Sequence, residues 1–142
     1  MSLEEKRARI VEDMSFLPDR FERFTYLVDY GRNEEQFSGE LRTNTFRVEG
    51  CQSQLWLVPA FRDGLCHFRA DSDSTIVKGI ASLICDYFSG ESPETILSGD
   101  IRFLEEVGVD QHLSSNRRNG LGKVDERIKR FAQSCLEADK AK

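Results

Sequence analysis

Four cysteines (Cys51, Cys66, Cys85, Cys135) and two histidines (His67, His112) carry most of the nucleophilic and metal-ligating capacity of this chain. Cys51 stands apart by its neighbours. It lies in the run Val48-Glu49-Gly50-Cys51-Gln52-Ser53-Gln54-Leu55-Trp56, directly after a glycine and among polar residues. Gly50 gives the backbone freedom to turn and to approach a partner closely. Ser53 and the local amides could donate hydrogen bonds to sulfur, which favours the thiolate, the reactive form of cysteine. On residue types alone, Cys51 reads equally as a nucleophile presented on a turn and as an inert loop residue, since free cysteine often packs as a small hydrophobe.

The other candidates carry less. Cys66 and His67 are adjacent in an extended run and would point to opposite faces, so they become two metal ligands only across a bulge. Cys85 and Cys135 fall on or beside apolar helical stripes and read as packing residues. Trp56 reads as a core anchor near the thiol. His112 is a lone loop histidine. Asp71, Ser72, Asp73 and Ser74 all offer N-caps for the helix that follows, and Asp73 reads first as that cap and second as a partner contact. No segment supplies a convincing base for Cys51, which disfavours a Cys–His hydrolase.

The elements around Cys51 follow from local signals. Ser2 with Glu5, and Asp19 with Glu22, form capping boxes ahead of two helices. The second helix carries the stripe Phe21, Phe24, Leu27, Val28 and closes at Gly31. Residues 32–44 are polar and aperiodic. Three strands are expected: Thr45 to Val48, Leu55 to Val58, and Leu65 to Ala70. Gly50-Cys51 turns between the first two and Arg62-Asp63-Gly64 between the last two. Pro59 should end the second strand or sit at its edge. A broad apolar face (Ile76, Val77, Ile80, Ala81, Ile84, Phe88) predicts a helix, with Gly79 allowing close packing on the sheet. Ser92-Pro93 starts a short helix, and Ile101 to Val107 forms another. Leu121, Val124, Ile128, Phe131 and Cys135 repeat at +3 and +4 in a long helix from about 116 to 138.

Strands clustered between helices argue an α+β fold, a small antiparallel three-stranded sheet packed against several helices. The 142 residues suit one domain, residues 1–142. A net charge of −5 disfavours nucleic acid as partner. No apolar run is long enough to span a membrane, and no secretory signal is visible. Cysteines without C-x-x-C spacing or a signal suggest reduced thiols in the cytoplasm, or in an organelle after transit-peptide removal.

The nine-residue run around Cys51 closely resembles the signature of the SufE family of sulfur-acceptor proteins. Glu40-Leu41-Arg42-Thr43 upstream, Asp71-Ser72-Asp73 with Ile76-Val77-Lys78-Gly79 downstream, and Gln111-His112-Leu113 with Arg117 and Gly120-Leu121 resemble further family segments in the same order. The resemblance implies a SufE/IscU-like fold and a sulfur carrier in iron–sulfur cluster assembly. Cys51 would accept persulfide sulfur from a pyridoxal-phosphate cysteine desulfurase of the SufS type, stimulate it, and pass the sulfur to a cluster scaffold. Gly50, Gln52, Ser53, Asp73 and Arg117 would support the thiol or the partner contact, with Arg118 able to exchange roles with Arg117. No cofactor and no metal is implied. Two other readings stay open: a zinc or iron–sulfur scaffold using Cys51, Cys66, His67 and Cys85, and an adaptor that docks a desulfurase without taking sulfur.

Overall fold

The computed structural model describes residues 2–17, 19–34, 36–48, 54–109 and 115–140, with side chains from 118 to 138 in the last segment. Two helices, α1 (Leu3–Ser15) and α2 (Arg20–Arg32), precede a hairpin of β1 (Leu55–Arg62) and β2 (Leu65–Ser72). Helices α3 (Thr75–Phe88), α4 (Pro93–Ser98), α5 (Phe103–Glu106) and α6 (Ser115–Lys140) follow. This is the expected α+β class.

The helix starts obey their caps. Ser2 accepts from the Glu5 amide, Asp19 from that of Glu22, and Ser92 from that of Thr95. Each side-chain oxygen satisfies one of the orphan amides of a first turn. Of the four candidate caps of α3, Ser74 is the one used, accepting from Val77, so Asp73 does not cap the helix.

The hairpin is set by its turn. Arg62 pairs with Leu65, leaving Asp63 and Gly64 as the two-residue loop. Both have positive φ, 55° and 79°, the type I′ geometry whose twist matches that of the strands. Leu55 and Leu57 of β1 share a face with Cys66, Phe68 and Ala70 of β2. All five are buried in one continuous core with Ile80, Ile84 and Phe88 of α3 and Val124 and Ile128 of α6.

The sheet has two strands among the described residues, not three. The expected strand Thr45 to Val48 shrinks to one bridge, Arg47 to Trp56. It is flanked by the Val48 amide to the Leu55 carbonyl and the Leu57 amide to the Phe46 carbonyl, both 2.8 Å. Two things stop the ladder. Phe46 and Arg47 spend their amides on turns, donating to Thr43 and Asn44. The next outward donor on β1 would be residue 59, a proline without an N–H. Pro59 does not end β1, which runs on to Arg62. By strand alternation its nitrogen faces away from β2, so the pairing with β2 loses nothing.

Two further expectations need correction. Phe21 and Phe24 lie outside the core, 76% and 37% exposed, while Leu27 and Val28 of the same stripe are buried. Gly79 faces α2 rather than the sheet. A Cβ built on Gly79 would stand 1.9 Å from the Leu27 carbonyl oxygen, and one on Gly31 would stand 2.7 Å from the Gly79 nitrogen. The two helices therefore meet backbone to backbone.

Candidate functional site

Gly50, Cys51, Gln52 and Ser53 lie outside the described residues, as do residues 111–113 with His112. Arg117 falls in the first turns of α6, its side chain likewise outside them. Residues Val48 and Gln54, on either side of the Cys51 motif, are each tied to the body of the protein.

Gln54 is held at both of its backbone groups. Its amide donates to Asp73 Oδ1 at 3.0 Å. Its carbonyl accepts from the Ser72 hydroxyl at 2.6 Å and from the Asp73 amide at 3.2 Å. Ser72 Oγ also accepts from the Ser74 amide at 3.1 Å. The junction between β2 and α3 thus clamps the residue leading out of the motif. Asp73 acts through that backbone clasp, a third role beside the cap and partner contact weighed from sequence.

On the other side, the Val48 amide is fixed to Leu55 as described. The Arg127 guanidinium of α6 donates to the carbonyls of Arg47 and, at 3.2 Å, Thr45. The final helix therefore braces the incoming segment.

A buried charge cluster lies beneath. Asp71 is 1% exposed. Its Oδ2 accepts from the Phe37 amide at 3.0 Å and from Arg42 Nη2 and Nε at 2.8 and 3.2 Å. Its Oδ1 accepts from the Ser72 amide at 2.9 Å and faces Lys78 Nζ at 3.3 Å. Arg42 also stacks 4.8 Å from the Trp56 ring centre, and Arg69 5.3 Å from that of Phe37. Phe37 and Arg42 are thereby strapped over the sheet face opposite the core. Trp56 is an anchor, as expected, but of this satellite cluster.

Burial pushes the Asp71 carboxyl up, yet the Phe37 amide, Arg42, the Ser72 amide and Lys78 together hold it below the usual carboxylate range. A lowered folded value means the cluster contributes stability above the unfolded pKa of about 4, lost as pH falls through the folded value. Asp71→Asn should cost about 3 kcal/mol near neutrality, because Arg42 and Lys78 lose their shared counter-charge. It should also flatten the acid limb of a urea-midpoint-against-pH curve. An unaltered midpoint near neutrality would deny the cluster this role.

The remaining cysteines are packing residues. Cys66, Cys85 and Cys135 are all buried. Burial pushes the Cys66 thiol up to about 12, helped by neighbouring Cys135 and by Glu94, and pushes Cys85 up further, helped by Asp86 and Glu34. Both are held as thiols, the unreactive form. Among the described residues, no three His, Cys, Asp or Glu side chains gather as a metal site. Nor is any helix there long and apolar enough to cross a membrane.

Sequence reasoning quoted Arg42 and Lys78 only as parts of matching segments, took Asp71 and Ser72 also as helix-cap candidates, and missed Phe37 and Arg127. No local signal announces them, since their partners lie far along the chain.

Comparison with known proteins adds the following. The family model described as "SufE: Fe-S metabolism associated domain" matches residues 8–132. An uncharacterised SufE-like protein of Rhizobium meliloti (strain 1021) is 34% identical over 135 residues, covering 92% of this chain and 96% of that protein. Another, of Rhizobium etli, is 32% identical over 130 residues, covering 88% of each. The solution structure of a hypothetical protein from Thermus thermophilus superposes with a TM-score of 0.76 at 22% identity, covering 93% of this chain and 96% of that one. That likeness speaks for the fold.

Proposed function

Since the chain belongs to the SufE family, associated with Fe–S metabolism, we propose that it is a sulfur carrier with Cys51 as the acceptor. The donor is the cysteine persulfide of a pyridoxal-phosphate cysteine desulfurase. The Cys51 thiolate attacks the outer sulfur of that persulfide. The bond between the donor's two sulfurs breaks as the new S–S bond forms on Cys51, and the donor cysteine leaves as a thiolate. No electrons are gained or lost overall, so no separate oxidant is needed. A cluster scaffold then takes the sulfur by a second attack of the same kind. A reducing compartment, such as the cytoplasm or an organelle, suits a thiol that must stay free between cycles.

The observation that carries this reading is the contrast among the cysteines. Three thiols are buried in the core. The fourth sits in the motif, between two residues that the sheet and the Asp73 clasp hold in place. A rigid base under a reactive segment limits the ordering that partner docking must impose.

The test is intact-protein mass after incubation with a cysteine desulfurase and cysteine, without reductant. A gain of one sulfur, reversed by reductant, is expected. No gain beside a desulfurase of demonstrated activity would overturn the carrier reading.

Arg117 is proposed to support the thiolate or the donor contact. Arg117→Ala should slow loading roughly tenfold, the worth of one charge-assisted hydrogen bond, with the thermal midpoint unchanged. Unaltered loading kinetics would remove Arg117 from the site.

A further inference from the structure

Between α6 and β1 lies a groove of about 720 Å³. Pro59 and Phe131 form its apolar floor above the buried Leu57, and Lys123, Arg127 and Arg130 stand along it at +4 and +3 on one face of α6, with the single acid Glu126 among them. The whole chain carries a net charge of −5, so this cationic stripe reverses the sign of the molecule locally.

The cations are poorly compensated. Lys123 reaches Glu126 at 3.4 Å, but both side chains are more than half exposed, where such a pair is weak. Arg127 donates to the neutral carbonyls of Arg47 and Thr45, which leaves its charge unopposed by them. Arg130 is exposed.

An apolar floor with a cationic rim fits an amphipathic segment with carboxylates along one side. Strand addition is disfavoured here, because Pro59 offers no outward N–H. A helix is the better match: carboxylates at i, i+4 and i+7 meet the stripe while the apolar side covers Pro59 and Phe131. Val48, the last described residue before the Cys51 motif, also lines the groove. An occupant therefore lies beside the residue that leads into the Cys51 motif.

We propose that this groove docks an acidic amphipathic helix of the protein that delivers sulfur to Cys51. The proposal rests on the carrier function above and names the surface that function uses.

The test is the double variant Lys123→Glu/Arg130→Glu in the full chain. Arg127 is left intact because it braces Thr45 and Arg47. Sulfur gain at Cys51 is followed by mass in two reactions, one with a cysteine desulfurase and cysteine, the other with inorganic polysulfide, which needs no docking. The expected result is desulfurase-dependent loading slowed on the order of tenfold, as for reversal of steering charges, with polysulfide loading and thermal midpoint unchanged. Added salt should slow wild-type loading and narrow the gap.

Wild-type rates from the desulfurase would overturn the proposal. Equal slowing in both reactions would too, since the variant would then be disturbing the thiol. Normal loading with slowed transfer to a cluster scaffold would assign the groove to the recipient instead. Loading of the wild type by polysulfide but by no active desulfurase would bring down the carrier function itself.

Discussion

Cys51→Ser is expected to abolish sulfur gain from a cysteine desulfurase while leaving the thermal midpoint within about a degree of wild type, as for a near-isosteric change. A serine hydroxyl does not ionise near neutrality and forms no S–S bond, so neither the attack nor the product is available. The other three thiols should not substitute. Cys66 and Cys85 are kept protonated by burial, and Cys135 is buried beside Cys66. Peptide mapping after loading checks this directly: sulfur retained on Cys66, Cys85 or Cys135 in the variant would refute the assignment. The same variant separates carrier from adaptor. A carrier variant still binds the desulfurase but no longer raises its sustained turnover, whereas an adaptor variant stimulates as before.

Gly79→Ala is expected to be the most damaging small substitution in the described structure. Helix propensity alone favours alanine by about 1 kcal/mol. The added Cβ would, however, fall 1.9 Å from the backbone oxygen of Leu27, an atom fixed within α2. Relief requires α2 and α3 to separate, at a cost of about 3 kcal/mol or more from lost packing. The contact outweighs the propensity. A net loss near 2–3 kcal/mol would lower the thermal midpoint by roughly 5–10 °C in a domain of this size. Circular dichroism melts read this out, and a midpoint equal to or above wild type would show that the helices adjust without cost. The effect should reach the site, because α3 begins at the junction whose Ser72 and Asp73 hold Gln54.

The elements that could be read from sequence are those whose causes are local. Ser2 with Glu5 and Asp19 with Glu22 act within one helical turn, and Asp63-Gly64 sets its own hairpin. The α6 stripe from Leu121 to Cys135 repeats often enough to be unmistakable. What could not be read depends on residues distant in sequence. The strand expected at Thr45 to Val48 has suitable residues, but its length is decided by the turns at Thr43 and Asn44 and by Pro59 on the neighbouring strand. Phe21 and Phe24 have the right spacing for a core stripe, yet α2 presents Leu27, Val28 and Gly31 to α3 instead. Gly79 signalled a close approach without saying to what. At the site, the motif identified Cys51, but the clasp of Asp73 on Gln54 and the convergence of Phe37, Arg42 and Lys78 on Asp71 exist only once β2 and α3 are in place.

Pro59 bears on how copies of this protein behave toward one another. The outer margin of a two-stranded sheet is an open template for self-association, and a crowded solution would let chains zip together there. Here one end of that margin is occupied by the Arg47 bridge, and the next position lacks the hydrogen that a second copy would need to begin pairing. A single imino acid thus discourages filament growth at the flank of the sheet, and leaves the neighbouring surface to partners recognised by charge and shape.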